Sequence, residues 1–237
     1  MKKIFLCFPL LTGPLRSYYN YLFGEKEIGF LYKFLKKNKE EFNFFDIGAN
    51  YGVYTFLLGK KAKRVFVFEP IRECVEYIKS GYNKNNIVFI NKILSDNNDK
   101  KVIHIPIEKN RKVFGRSSVD NKFYFSEKRT LPSISLDQFI ENIEFNNDLL
   151  SVIKIDCEGH ELKVLEGALN FLNNTKLILL IEIEKRHNPL YQHVFKTLID
   201  LKFDVFIVKN KKLKSLKNLK EIEKFMEQEN NFLFKNF

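Results

Sequence analysis

The segment Phe42-Asn43-Phe44-Phe45-Asp46-Ile47-Gly48-Ala49-Asn50-Tyr51-Gly52 constrains the fold more than any other part of the chain. Its apolar run is too short for a helix and does not alternate with polar residues, and it ends in an acid, two glycines and the start of a helical pattern. Such a run reads as a strand covered on both faces, a situation found almost only in parallel sheets flanked by helices. The rhythm recurs at Arg64 to Phe68, Ile87 to Ile90, Leu150 to Ile155 and Lys176 to Ile183. Helical spacing appears between most of these runs: Glu25 to Lys37, Val53 to Leu58, Ile71 to Tyr82, a helix through Leu162, Leu165 and Leu169, and Pro189 to Leu201. Repeated βα units of this kind predict an open α/β sheet. Phe203 to Val208 and Asn231 to Phe234 are read as two late strands that complete it.

Length agrees, since 237 residues suit one α/β domain (1–237, with 1–40 an N-terminal helical segment). The stretch Asn97 to Ser135 breaks the helical rhythm. Val102, Ile103, Ile105 and Ile107, then Val113 to Val119, then Phe123 to Phe125, predict short strands separated by turns. This β-rich insertion between the third and fourth core strands follows a strand's C-terminal end, where ligands bind, so it is read as either a substrate lid or a structural flap.

Composition excludes several classes and selects none. Apolar residues are 45% and charged residues 29%, with 10 glycines and 6 prolines, which excludes collagenous and low-complexity chains. A net charge of +11 would suit an anionic partner. Yet the chain is rich in Lys, Asn, Ile and Phe and poor in Arg, as an AT-rich genome produces without selection for binding. Lys209 to Lys224 is lysine-rich and reads as a solvated face or a docking surface. Cys7, Cys74 and Cys157 are odd in number and widely spaced, which fits a reducing cytoplasm rather than a disulfide framework or a zinc site. The start, Met-Lys-Lys followed by Ile4 to Leu11, imitates a signal peptide, but Pro9 interrupts it and no small-x-small site follows; it is read as a buried segment. No apolar stretch reaches the length of a spanning helix.

The glycines of Gly48-Ala49-Asn50-Tyr51-Gly52 let the backbone turn sharply and approach a ligand, while the helix that follows offers free N–H groups to an anion such as an amino-acid carboxylate. Asp46 can accept hydrogen bonds from an ammonium or from ordered water. Glu69, in Val65-Phe66-Val67-Phe68-Glu69-Pro70, can receive both hydroxyls of a ribose. An amino acid joined to a nucleoside is S-adenosylmethionine, and this order of strand, loop, helix, strand and acid is how class I methyltransferases hold it. A dinucleotide is the weaker match, because G-x-G-x-x-G asks for more glycine than Gly48-Ala49-Asn50-Tyr51-Gly52 offers at its spacing. A glycine turn needed only for packing is the bland alternative.

Leu149 to Ala168, LLSVIKIDCEGHELKVLEGA, is the most specific segment. Together with FDIGANYG, VFVFEP, SISLDQF and LLIEIE it resembles the FkbM family of S-adenosylmethionine-dependent methyltransferases over about Glu25 to Glu184, and NNFLFKNF resembles that family's last strand. The resemblance implies a Rossmann-like, mostly parallel seven-stranded sheet with helices on both faces and an antiparallel last strand. It implies O-methylation of hydroxyls on sugars, surface-glycan precursors or other small molecules. It further implies that Asp46, Gly48, Asn50, Tyr51, Gly52, Glu69 and Pro70 bind the cofactor, that Ser95 and Asp96 lie near its adenine, and that Asp156 sits beside the transferable methyl group. Glu158 and Gly159 complete an Asp-x-Glu-Gly signature, with Cys157 and His160 at its variable positions and Ser117 and Ser118 in a serine-bearing segment.

Methyl transfer to an alcohol needs a base within hydrogen-bond reach. Asp156, Glu158, His160, Glu182, Glu184 and His187 all fall at or just past strand ends. Asp156 or Glu158 is favoured as base or substrate orienter, with a helix N-terminal carboxylate as the alternative for Glu158. His160 is left open. Lys154 and Glu182 interrupt apolar strands, and because an unpaired buried charge is costly they are predicted to pair across neighbouring strands. Cys157 reads as a small buried filler. Metal is not expected, although Asp156 with Glu182 or Glu184 offers oxygens to magnesium. Two rival functions stand beside this reading: an RNA methyltransferase, to which Asn188-Pro189-Leu190-Tyr191 bears a superficial likeness in the wrong place, and an inactive cofactor-binding interaction module.

Overall fold

The computed structural model describes residues 9–121 and 123–237. Most of the expected buried segment, Ile4 to Leu11, and Cys7 lie outside the described residues or their described side chains. Helices Pro9–Phe23 and Lys26–Asn38 precede the sheet. The strands are β1 Phe42–Ile47, β2 Arg64–Phe68, β3 Ile87–Ile90, β4 Ile93–Leu94, β5 Lys100–Glu108, β6 Arg111–Lys112, β7 Ser126–Ile134, β8 Leu150–Ile155, β9 Leu177–Glu182, β10 Asp204–Lys209, β11 Lys212–Leu216 and β12 Asn231–Lys235. The main sheet runs β11-β10-β12-β9-β8-β1-β2-β3. β3, β2, β1, β8 and β9 are parallel, and β12 inserts antiparallel between β9 and β10.

Seven of these strands are the seven expected. β11, in the lysine-rich segment, is an eighth. Leu216 and Ile222 anchor that segment at 5% and 1% exposure, while Lys212 and Lys214 lie on the sheet's outermost strand, where charge discourages edge-to-edge pairing.

Alternation along β1 explains the two-sided core. Phe45 joins Phe66, Phe68, Ile153, Leu179 and Phe234 on one face, and Phe44 joins Val65, Val67, Val152 and Leu180 beneath helix Lys26–Asn38 on the other. The expected single helix through Leu162, Leu165 and Leu169 is two, Glu161–Glu166 and Leu169–Asn174. Gly167 separates them because the chain passes so close to Ser95 that a Cβ there would lie 2.0 Å from the Ser95 carbonyl oxygen. Asp137 restarts the second helix by accepting from the N–H groups of Asn170 and Phe171. After β1 the chain forms a π-helical turn, Thr55–Gly59, rather than a regular helix.

The insertion is β, with shifted strands. β5 pairs antiparallel with β6 and β7, and β4 pairs parallel with β7. Val113 to Val119 is not a strand but a 3-10 turn at Phe114–Arg116 followed by one bridge between Ser118 and His104, and Phe123 to Phe125 precedes β7 instead of forming a strand of its own. β7 escapes local reading because Ser126-Glu127-Lys128-Arg129-Thr130 is polar; its pairing with β5, from Lys100 opposite Pro132 to Pro106 opposite Ser126, supplies its order. No helix among the described residues is long and apolar enough to cross a membrane.

Candidate active site

The C-terminal ends of β1, β2 and β8 open into a cleft, the place where open α/β sheets bind ligands. β1 supplies Gly48 and Asn50, β2 supplies Glu69 and Pro70, β8 supplies Asp156, Cys157, Glu158 and His160, and the insertion closes one side with Phe114, Gly115, Ser117 and Val119.

The floor depends on Gly48. Its φ of +74° is unfavourable for other residues, and a Cβ would lie 1.9 Å from the Asp156 carbonyl oxygen. Gly48 therefore lets β1 and β8 stay in register where they turn away. Asn50, also at positive φ (50°), donates its backbone N–H to Glu69 Oε2 at 2.7 Å, and the Ile71 N–H donates to Glu69 Oε1 at 2.8 Å. Glu69 is buried, and that burial pushes its carboxyl up to about 7 against those two bonds. Each carboxylate oxygen keeps a further lone pair for a ligand.

Other expected site residues sit behind the cleft. Asp46 accepts a hydrogen bond from the Thr55 hydroxyl beneath it and does not reach the lining. Tyr51 packs edge-on to Tyr77 with Arg16 over its ring. Gly52, at φ +71°, meets Ile78. Ser95 and Asp96 lie below: Ser95 Oγ is 2.9 Å from His160 Nε2 and 3.0 Å from Asp96 Oδ1, while Asp96 pairs with Lys101 and Lys163.

His160 is 4% exposed, and its other nitrogen, Nδ1, lies 2.5 Å from Asp120 Oδ2 of the insertion. With Ser118 Oγ and Asn121 Nδ2 both donating to the Glu158 carbonyl oxygen, at 2.7 and 2.6 Å, it ties the insertion to the β8 loop. This seam is a tertiary contact with no local sequence mark.

Asp156 and Glu158 also border an adjoining small cleft with Glu161, Glu182, Glu184 and His187. Lys154, 3% exposed, places its ammonium 3.5 Å from Glu182 Oε2 and 3.9 Å from Asp156 Oδ2, and donates to Asn231 Oδ1 at 3.1 Å. The expected pairing across β8 and β9 is present. A protein cation thus already neighbours Asp156 and Glu182, two of the three carboxylates considered for magnesium. Desolvation raises Asp156 to about 6 and Glu182 to about 7, with Lys154 pulling both the other way. Desolvation, then the neighbouring carboxylates Glu182, Glu184 and Glu161, brings Glu158 to about 7. Its Oε2 is 2.6 Å from His187 Nδ1. Burial pushes the Cys157 thiol well up, which keeps it an un-ionised lining atom.

The helix-terminal role considered for Glu158 falls to Glu161, whose Oε1 accepts from the Gly159 N–H at 2.9 Å. Asn188 Nδ2 donates to Glu161 Oε2 at 2.7 Å, and Asn188 Oδ1 accepts from the Leu190 N–H, so both ends of the Asn-Pro-Leu-Tyr amide are occupied. Glu161 was missed although an acid opening a helix is a readable signal.

A mostly parallel sheet with the antiparallel β12 inserted between β9 and β10, a glycine turn after its first strand and an acid just past its second define the Rossmann-like class I methyltransferases. Residues 46–233 match the Methyltransferase FkbM domain, and the chain belongs to that family of methyltransferases. It is 28% identical over 189 residues to the hexuronic acid methyltransferase AglP of Haloferax volcanii, spanning 78% of this chain and 72% of AglP. Among solved structures it is similar to an FkbM methyltransferase from Methylobacillus flagellatus (18% identity, TM-score 0.48, 82% of this chain). It spans only 43% of that protein's length. It is also similar to an S-adenosylmethionine-dependent methyltransferase from Listeria monocytogenes (11% identity, TM-score 0.43, 88% and 96% of the two chains).

Proposed function

We propose that the protein is an S-adenosylmethionine-dependent O-methyltransferase acting on a hydroxyl of a sugar or glycan precursor. The observation that carries this is the cleft wall in which the buried Glu69 carboxylate is held by the Asn50 and Ile71 N–H groups beside the Gly48 turn. Two further features support the fit. Ser117 Oγ is shielded from solvent, has no hydrogen-bond partner among the described residues and belongs to a lining residue, and Gly48 contributes to the same lining. Glu69 would take the ribose, and Gly48, Asn50 and Ser117 the neighbouring polar atoms. Bound there, S-adenosylmethionine supplies an electrophilic methyl group on a sulfonium.

The chain's own work is to orient the acceptor and take its proton. Glu158 holds its carboxyl near neutral pH, where a general base is effective, and His187 fixes it. Asp156 orients the acceptor hydroxyl at the β8 tip. Similarity to the hexuronic acid methyltransferase supports a sugar acceptor. Cytoplasmic residence is part of the same reading.

Calorimetric titration of S-adenosylhomocysteine tests it. Stoichiometric binding that falls at least tenfold in a folded Glu69→Ala variant is expected, since a charged hydrogen-bonding group is worth about 1.5–3 kcal/mol. Absence of binding to nucleoside-free protein refutes the reading.

A further inference from the structure

The tip of the insertion carries a feature that methyl transfer does not use. Tyr124 is 94% exposed and Phe125 67% exposed, with their rings edge-to-face at 4.6 Å. Large aromatics so open to water, side by side on one loop, are unusual on a soluble surface. The Ile107 N–H donates to the Phe125 carbonyl oxygen at 3.0 Å, which fastens the aromatic loop to the β5–β6 hairpin, and Ile107 is itself 37% exposed. The hairpin turns through Lys109 and Asn110, both at positive φ, the geometry of the tight turn that suits a twisted ribbon.

Charge completes the surface. Lys112 is paired with Glu127 at 2.6 Å, and Arg116 with Glu108. Lys109, Arg111 and Lys128 are exposed and have no ion pair among the described residues. The tip therefore joins exposed aromatic rings to cations left without a counter-charge.

We propose that this tip docks the protein onto a bilayer surface containing anionic lipid. Aromatic side chains settle at the headgroup level, where their rings leave water, and each nearby Lys or Arg is attracted by the negative surface potential. A neutral glycan stacked on the rings would leave the cations unanswered. A second copy of the chain across a twofold axis would set the same cations against each other. The insertion that bears the tip also supplies Phe114, Ser117 and Val119 to the cleft, so one element serves both surfaces. The proposal concerns where the protein works and stands apart from the identity of the acceptor.

Co-sedimentation of the whole chain with phosphatidylcholine vesicles, with and without a minority of phosphatidylglycerol, tests it. Binding is expected only to the anionic vesicles and to weaken with salt. Lys109→Gln with Arg111→Gln should weaken it roughly 25-fold, about fivefold per charge. Tyr124→Ser with Phe125→Ser should weaken it at least tenfold. Lys211→Gln with Lys212→Gln, on the sheet edge, should leave it unchanged. Thermal unfolding midpoints establish that each variant is folded. Equal sedimentation with both vesicles, or loss in the sheet-edge variant with retention in the tip variants, overturns the proposal. So does a wild-type dimer in solution that the tip variants dissociate.

Discussion

Lys154→Met removes a buried ammonium and leaves Asp156 and Glu182 facing one another. At the observed 3.5 and 3.9 Å, each attraction is about 4–5 kcal/mol with an effective dielectric of 20. Asp156 and Glu182 side chains are 38% and 28% exposed, so water screens much of this, and the ammonium regains its own desolvation cost on removal. The net loss expected at pH 8 is about 2 kcal/mol. Its pH dependence separates charge from packing. Both carboxyls have folded-state pKa values raised above their unfolded ones, to about 6 and about 7. Their protonated forms therefore favour the folded state, and stability is lost as pH rises from about 4 through 6 and 7. Without Lys154 both values rise further and that loss grows. At pH 5 the carboxyls are largely protonated in either folded protein, and the variant should lose less than about 1 kcal/mol. Urea unfolding at pH 5 and pH 8 measures both quantities. An equal loss at the two pH values would show that Lys154 acts through packing and refute the electrostatic argument.

Gly48→Ala should destabilise the protein by about 3 kcal/mol or more in thermal unfolding, because its clash is with the Asp156 backbone at a positive φ. Gly115→Ala is the contrast: its nearest neighbour, at 2.6 Å, is the Asn50 side-chain amide, which can swing aside, so the melting temperature should hardly move while S-adenosylhomocysteine affinity falls. With an acceptor in hand, kcat/KM should rise with pH through about 7 as Glu158 loses its proton, and Glu158→Gln should abolish that limb and lower the rate by 10²–10⁴.

The parallel core was legible because each strand is buried on both faces and so carries its signal in consecutive residues; β1, β2, β3 and β8 lie where the apolar runs predict. β7 and β11 were not legible, since polar strands owe their order to partners far along the chain. In the site, Gly48, Asn50, Glu69, Asp156 and Glu158 line one cleft, while Asp46, Ser95 and Asp96 share its sequence motifs yet stand behind the wall. A motif places a backbone, and the direction of each side chain follows from its neighbours. Asp46 shows this: Thr55 captures its carboxylate from below.

Local sequence alone determined the βα rhythm, the glycine turn at the tip of β1 and the acid at the tip of β2, because covered strands and tight turns are written in consecutive residues. Even the pairing of Lys154 with Glu182 followed, since a buried charge must find its opposite. Only the tertiary structure decided that Asp120 reaches His160, that Glu161 rather than Glu158 meets the helix N-terminus, and that His187 stands beside Glu158. These contacts join residues from separate elements whose approach depends on packing, which no short stretch of sequence records.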